Sequence, residues 1–380
     1  MNHWVVIYAI GAAQAVLLAL ALSRRRVNPQ ANRVLAAWVA IVGVDLAIKA
    51  LFLAEPTVAL YKPYRFVALF PFLYASLFYV YVRVLTTGRG FGARDLVHFA
   101  GFAFVLAWVG GLFLLGPADT AAEYAQFVRG EGPGLPGWFD PLLFGYAFSY
   151  IIAALVRMHR YRRQLRERRS DADRQSLRWI TAMALCQLVI WCIAAAQWLL
   201  RIPQVDYYLI YGAVAAWVCV VAYFSLAQPP VAELVTESSA PQADEGPARD
   251  DDPRFDEVQS RLSQLMRKER LYREPALTIG QLARRSGYPE YLVSAVINRR
   301  LGANFWDYIN RQRIEAASAC LADPGDRRTI LDIAYACGFT SKSTFNAAFK
   351  RQLGETPSGY RRQHAGRSPA TAGSVRTRPG

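Results

Sequence analysis

Histidine and cysteine are scarce in this 380-residue chain, four and five respectively, and acidic side chains are outnumbered by basic ones, 29 to 44. Cys186, Cys192, Cys219, Cys320 and Cys337 fall in apolar, helix-patterned stretches without the pairing of a disulfide framework or the spacing of a metal site. They read as small buried hydrophobes. The apolar stretches also lack paired carboxylates, a His cluster and an internal repeat. That argues against the rival class, a transporter or intramembrane enzyme with a regulatory appendage. No catalytic residue, metal ligand or cofactor is expected. The shortage of acid leaves a net charge of +15, which implies acidic partners: nucleic acid for one part of the chain, anionic lipid for another.

Apolar residues, by contrast, make up 53% of the chain, too many for an ordinary soluble protein whose last third is visibly charged. The excess is upstream. Seven apolar stretches run roughly from Trp4 to Leu22, Val34 to Leu53, Tyr64 to Leu85, Leu96 to Leu115, Phe139 to Val156, Trp179 to Leu200 and Tyr207 to Leu226. Each is near the ~20 residues that cross a bilayer core as a helix. The first is followed, not preceded, by Arg24, Arg25 and Arg26, so it reads as a retained span and not a cleaved signal. Pro71 is expected to kink the third span.

Basic residues collect after the first span, between the third and fourth (Arg83, Arg89, Arg94), and between the fifth and sixth, where the chain reads RMHRYRRQLRERRSDADRQSLR. The alternate connections are poor in Lys and Arg. The positive-inside rule then places the N-terminus outside and the C-terminus in the cytoplasm of a bacterial inner membrane. The 157–178 loop reads as a topology determinant beside anionic head groups, with DNA contact as the rival use. The outer connection from Gly116 to Phe139 is too short for a folded domain and reads as a lid or plain connector. Whatever the bundle senses is accordingly small, membrane-soluble or bound within the helices. Asp45 and Lys49, spaced i to i+4 in the second span, form a candidate intramembrane ion pair. Either the pair serves a site, or Lys49 snorkels to the outer end of the span with Asp45 satisfying it.

Residues 228–253, QPPVAELVTESSAPQADEGPARDDDP, change abruptly to Pro, Ala and acid without periodicity, the composition of a flexible tether. By random-coil scaling such a tether spans roughly 25 to 30 Å. Proteolysis within it is a further route by which the following part could act. A helix from about Phe255 to Arg270 then carries Phe255, Val258, Leu262, Leu265 and Met266 on one stripe, for core packing or, as the sharper alternative, for a homodimer.

The last third contains two helix-turn-helix patterns. In TILDIAYACGFTSKSTFNAAFKRQLGETPSGYR, residues 329–361, the apolar Ile330, Ile333, Ala334 and Cys337 fall at helical spacing and Gly338 stops that helix. Ser341 then caps a helix carrying Phe345 and Phe349, which ends at Gly354. Upstream, LTIGQLARRSGYPEYLVSAVINRRLGANFWDYIN, residues 277–310, repeats the plan with Leu282, Ala283, Val293, Val296 and Ile297 inward. A helix from Asn304 to Leu321, with Phe305, Tyr308, Ile309, Ile314, Ala317 and Leu321 on its inner face, joins the two. Its ~27 Å suits two recognition helices about one DNA turn, ~34 Å, apart.

The GF-x-S-x-S-x-F-x-x-x-F-K run followed by G-x-T-P-x-x-Y-R resembles the DNA-binding domain of the AraC/XylS-type transcription regulators, and 277–310 resembles that domain's first half. The resemblance implies that Tyr291, Ser294, Ala295 and Asn298, and in the second unit Lys342, Ser343, Asn346 and Ala347, face base edges. Arg299, Arg300, Lys350 and Arg351 are placed for phosphates, which position without specifying. Pro289 stands where the family often has a Ser cap and is read here as a first-turn residue, and Ala295 and Ala347 stand where some members have long base-reading side chains.

The expected fold is all-α: a seven-helix transmembrane bundle (1–227), a linker (228–253), a double helix-turn-helix domain (254–363) and a disordered tail (364–380). The expected partners are double-stranded promoter DNA, the lipid bilayer, RNA polymerase and a small or membrane-soluble effector.

Overall fold

The computed structural model describes residues 3–131, 137–172, 178–200, 206–226 and 252–365. Regular structure among them is helical, and the chain forms two compact units. The first comprises Met1–Arg160 and Leu177–Val235, the second Tyr161–Ser176 and Thr236–Gly380. The linker and tail of the sequence reading lie outside the described residues, except for 252–253 and for 364–365, which end a helix.

The first unit contains α1 (His3–Arg24), α2 (Pro29–Ala54), α3 (Val58–Val67), α4 (Pro71–Thr87), α5 (Ala100–Leu114), α6 (Pro117–Arg129), most of α7 (Phe139–Arg168), α8 (Arg178–Leu200) and α9 (Asp206–Leu226). Seven helical segments among the described residues are long and apolar enough to cross a membrane, α3 with α4 counting as one and α5 joined to the 3₁₀ helix Ala93–Phe99 as another.

Three details depart from the sequence reading. The third stretch begins earlier, at Val58, and its α-helix gives way to hydrogen-bonded turns over residues 68–70, beside the proline expected to kink it. Pro71 lacks the N–H that would continue the ladder and so occupies the first turn of α4, where no donor is needed. The connection from Gly116 to Phe139 holds the helix α6, started by Pro117. And α7 runs past Val156 as far as Arg168, so half of the basic loop is helix.

Packing in the first unit relies on small residues. A Cβ on Gly43 of α2 would lie 3.1 Å from the Ala15 Cβ of α1, and one on Gly11 of α1 would lie 2.8 Å from the Ala215 Cβ of α9. Missing side chains let the backbones close in, the usual device where helices pack without water's help. The outer faces stay apolar: α1 buries Tyr8, Ala15, Leu18 and Leu22 but exposes Val16 and Leu17, and Leu114 of α5 is 87% exposed.

The second unit contains α10 (Phe255–Arg267), α11 (Ile279–Ser286), α12 (Glu290–Ala295), α13 (Phe305–Ala322), α14 (Ile330–Ala336), α15 (Lys342–Leu353) and α16 (Pro357–Ala365). It has two cores. One gathers the α10 stripe, namely Phe255, Val258, Leu262, Leu265 and Met266, with Leu282, Ala283, Val293, Val296 and Ile297. The other gathers Ile314, Ala317 and Leu321 of α13 with Ile333, Ala334, Cys337, Phe345 and Phe349. The helix α13 serves both, which makes it the spine of the unit. The expected stripe of α10 is confirmed, although the helix stops at Arg267, short of Arg270.

Residues 161–172 belong to this unit. The Ser170 amide donates to the Leu277 carbonyl at 3.0 Å, Arg169 and Thr278 form an isolated antiparallel bridge, and the Arg166 guanidinium lies 5.1 Å from the Trp306 ring centre. The basic loop, read from sequence as a topology determinant, therefore also has a packing role, because its last turn and the residues after it find backbone and aromatic partners.

Candidate nucleic-acid interface

Local capping explains where each helix of the two helix-turn-helix units starts. Thr278 and Thr329 each form a reciprocal capping box, with Gln281 and Asp332 respectively. The Thr329 hydrogen bonds hold the Asp332 carboxyl below the usual carboxylate range. Ser341 Oγ accepts from the Thr344 amide at 3.2 Å and so starts α15, as its sequence position suggested. At α12 the reading is corrected. Pro289 occupies the cap position itself, one residue before the first turn, and provides no side-chain acceptor.

Gly338 makes the turn between α14 and α15 at φ +89°. A Cβ there would sit 2.6 Å from the Tyr272 carbonyl oxygen. That same oxygen accepts from Arg313 Nε at 2.7 Å. Arg313 is 1% exposed, and its Nη2 also donates to the Glu274 carbonyl at 2.9 Å and to Ser170 Oγ at 3.1 Å. The segment 271–277 is thus clamped between α13 and the turn of the second unit. Burial pushes the Arg313 guanidinium down to about 10, opposed by nearby Asp171. Burial also pushes the Cys337 thiol up to about 11, so it is a packing residue and not a reactive thiol.

The second unit's outward residues form one stripe. Lys342, Ser343, Asn346, Ala347, Lys350 and Arg351 are all exposed, while Thr344, Phe345, Ala348 and Phe349 on the other side of α15 are buried. Phe345 anchors the helix edge-on to Phe339 and Phe349, with ring centres 5.1 and 5.5 Å apart. Arg351 is also held internally: its guanidinium lies 4.1 Å from the Trp306 ring centre and 3.4 Å from Asp307.

The first unit's outward set is less free. Asn298, Arg299 and Arg300 are exposed, in a π-helical turn (Val296–Arg300) that continues α12. Tyr291, Ser294 and Ala295 are half-buried; Tyr291 and Ala295 pack on the core, and the Tyr291 hydroxyl accepts from Arg254 at 3.3 Å. Arg300 stands 5.8 Å from the Phe255 ring centre, and Asn298 donates to Ser294 Oγ at 3.3 Å.

Sequence reasoning missed Trp306, Asn310 and Arg313, all 1% exposed. With Ala317 they fall at helical spacing, a signal masked by the polar character of two of them.

In the first compact unit, Asp45 and Lys49 are brought together as an ion pair, 0% and 4% exposed. Tyr74 donates to the other Asp45 oxygen at 2.5 Å, and the Lys49 ammonium stands 3.5 Å from the Tyr211 ring centre. The pair is enclosed by α2, α4 and α9 and does not reach outward. Among the described residues no group of His, Cys, Asp and Glu has a metal-holding arrangement.

Residues 282–363 match the family described as "Helix-turn-helix domain". The regulatory protein SoxS of Escherichia coli (strain K12) is 34% identical over 85 residues, 22% of this chain and 78% of that protein. A probable transcription factor, PqrA of Proteus vulgaris, is 30% identical over 91 residues, 24% of this chain and 73% of that one. A putative AraC-like transcription regulator of Streptomyces lividans is 33% identical over 94 residues, 24% of this chain and 30% of its own length. No solved structure gives a significant match. With two capped helix-turn-helix units on a shared spine, and with relatives aligned over most of their length, the chain belongs to the AraC/XylS-type family of DNA-binding transcription regulators.

Proposed function

We propose that this regulator works from within the bacterial cytoplasmic membrane. In this reading the seven apolar helices anchor the chain and sense a small or membrane-soluble effector, with the N-terminus outside and residues 254–363 in the cytoplasm. The observation that carries it is the joining, in one chain, of seven helices whose outer faces are apolar to a family DNA-binding domain. Lipid removes the penalty that Val16, Leu17 and Leu114 would otherwise face in water. The alternating basic connections give the orientation.

On DNA, Tyr291, Ser294, Ala295, Asn298, Lys342, Ser343, Asn346 and Ala347 face base edges. Arg299, Arg300, Lys350 and Arg351 face phosphates. Lys342 is the long cation on the base-facing side, so direct readout falls to it, with thymine-methyl contacts from the alanines and DNA shape supplying the remainder. RNA polymerase is the proposed protein partner, and the complex on DNA is proposed to be a homodimer.

Reporter fusions test the arrangement. A reporter joined after Leu226 is expected to be active only in the cytoplasm, and one inserted between 116 and 139 only outside. A cytoplasmic signal from the second fusion overturns the orientation, and absence of promoter-specific chromosomal binding overturns the regulator as a whole.

A further inference from the structure

The first compact unit holds a partly open cavity of about 310 Å³ between α2, α4, α7, α8 and α9, at the small end of the ~300–1,000 Å³ range of small-molecule sites. Gln187, Trp191, Ala194 and Trp198 succeed one another at three- and four-residue intervals along α8, so one face of that helix forms a continuous wall. Trp38 and Trp217 contribute two further indoles, packed on each other with ring centres 4.6 Å apart. Its polar lining includes Asp140, Gln197 and Gln187; Gln187 is 6% exposed, and among the described residues its Oε1 has no hydrogen-bond partner. Leaving a buried carbonyl unpaired is costly unless something supplies a donor.

The wall opposite is held from behind. Tyr74 and Tyr211 both line the cavity, and both are fixed by the ion pair, Tyr74 through its hydrogen bond to Asp45 and Tyr211 beneath the Lys49 ammonium. The charges are thus spent on orienting two tyrosines and are not offered to a ligand.

We propose that this cavity is the effector site, and that it takes a neutral, flat, mainly apolar molecule carrying one hydrogen-bond donor, received by Gln187. The proposal rests on the reading of the first unit as the sensing part. Indole walls select planarity and size by stacking, Gln187 selects the donor, and Asp45 and Lys49 are positioning residues.

Two probes of nearly one shape separate the elements: 2-naphthol, which has the donor, and 2-methoxynaphthalene, which lacks it. Tritiated probe is equilibrated by dialysis against nanodiscs with and without the full-length protein. The wild type is expected to bind 2-naphthol saturably and about tenfold more tightly than the ether. Gln187→Leu is expected to remove that difference while still binding both. Ala194→Phe, which fills the cavity, is expected to abolish saturable binding of both, and monodisperse elution of each variant in detergent controls for folding. Equal affinity of the wild type for the two probes overturns the role of Gln187. Uptake no greater than that of empty nanodiscs, or binding that survives Ala194→Phe, overturns the cavity as the site. Either failure leaves promoter binding by the same preparation intact, whereas failure of the regulator reading abolishes promoter binding and leaves dialysis unaffected.

Discussion

The two recognition helices are built differently although they serve one spine. α15 is a twelve-residue helix with a Ser341 cap and its own aromatic anchor, and its outward stripe is exposed from Lys342 to Arg351. α12 has six residues, an uncapped start at Pro289 and a widened final turn, and its outward residues lean on α10 through Tyr291 and Arg300. The matched family region begins at Leu282, inside α11, so α10 lies before it. The first recognition helix therefore depends on a segment outside the shared pattern, while the second rests mainly on α13, inside it.

The harshest way to break the comparison is at Gly338. Gly338→Val places a branched side chain against the Tyr272 carbonyl at a left-handed φ, and overpacking plus backbone strain should cost about 4 kcal/mol. Loss of protease resistance in residues 254–365 of the full chain is the readout; unchanged resistance would mean that the close approach does not exist. Next in size, Phe255→Ala should cost about 3 kcal/mol and loosen the first unit alone. Hydrogen exchange should rise in 290–300 and stay level in 342–353. A uniform rise would show that the two units are not separable.

The third contrast concerns DNA. Lys342→Ala should lose about 2 kcal/mol against the preferred base at one position. Lys350→Ala should weaken cognate and scrambled duplexes alike and reduce the salt slope by about one. Arg351→Ala should do less to the slope and also lower stability, because that side chain is already engaged with Trp306 and Asp307. Titrations at several salt concentrations decide it, and an unchanged specificity ratio for Lys342→Ala removes base reading from that residue. The smallest effects lie at the caps. Ser341→Ala should destabilise by about 1 kcal/mol and Pro289→Ser should stabilise by about 0.5 kcal/mol. Denaturation midpoints moving in the same direction would contradict the asymmetry.

Periodicity made the helices of both units legible in the sequence, because apolar spacing, Gly338 and the Ser341 cap are local signals. Partnerships across long separations were not legible. Nothing near Arg313 announces that its guanidinium is buried against the carbonyls of Tyr272 and Glu274 and a serine 143 residues upstream. The ion pair was legible because i to i+4 spacing is local, but its tyrosine partners, on other helices, were not. Pro289 was misplaced by one residue because proline suits both a cap position and a first turn.

The inclusion of residues 161–172 in the second unit sets an order in time. Ser170 leaves the ribosome about a hundred residues before Leu277 and still longer before Arg313, so at ~5–20 residues per second its partners arrive on the order of 5–20 s later. Through that interval the polar clamp around Arg313 is half made. A nascent chain carries Ser170 before its partner exists, and a fragment starting at 254 holds a DNA-reading domain whose buried guanidinium lacks one of its acceptors.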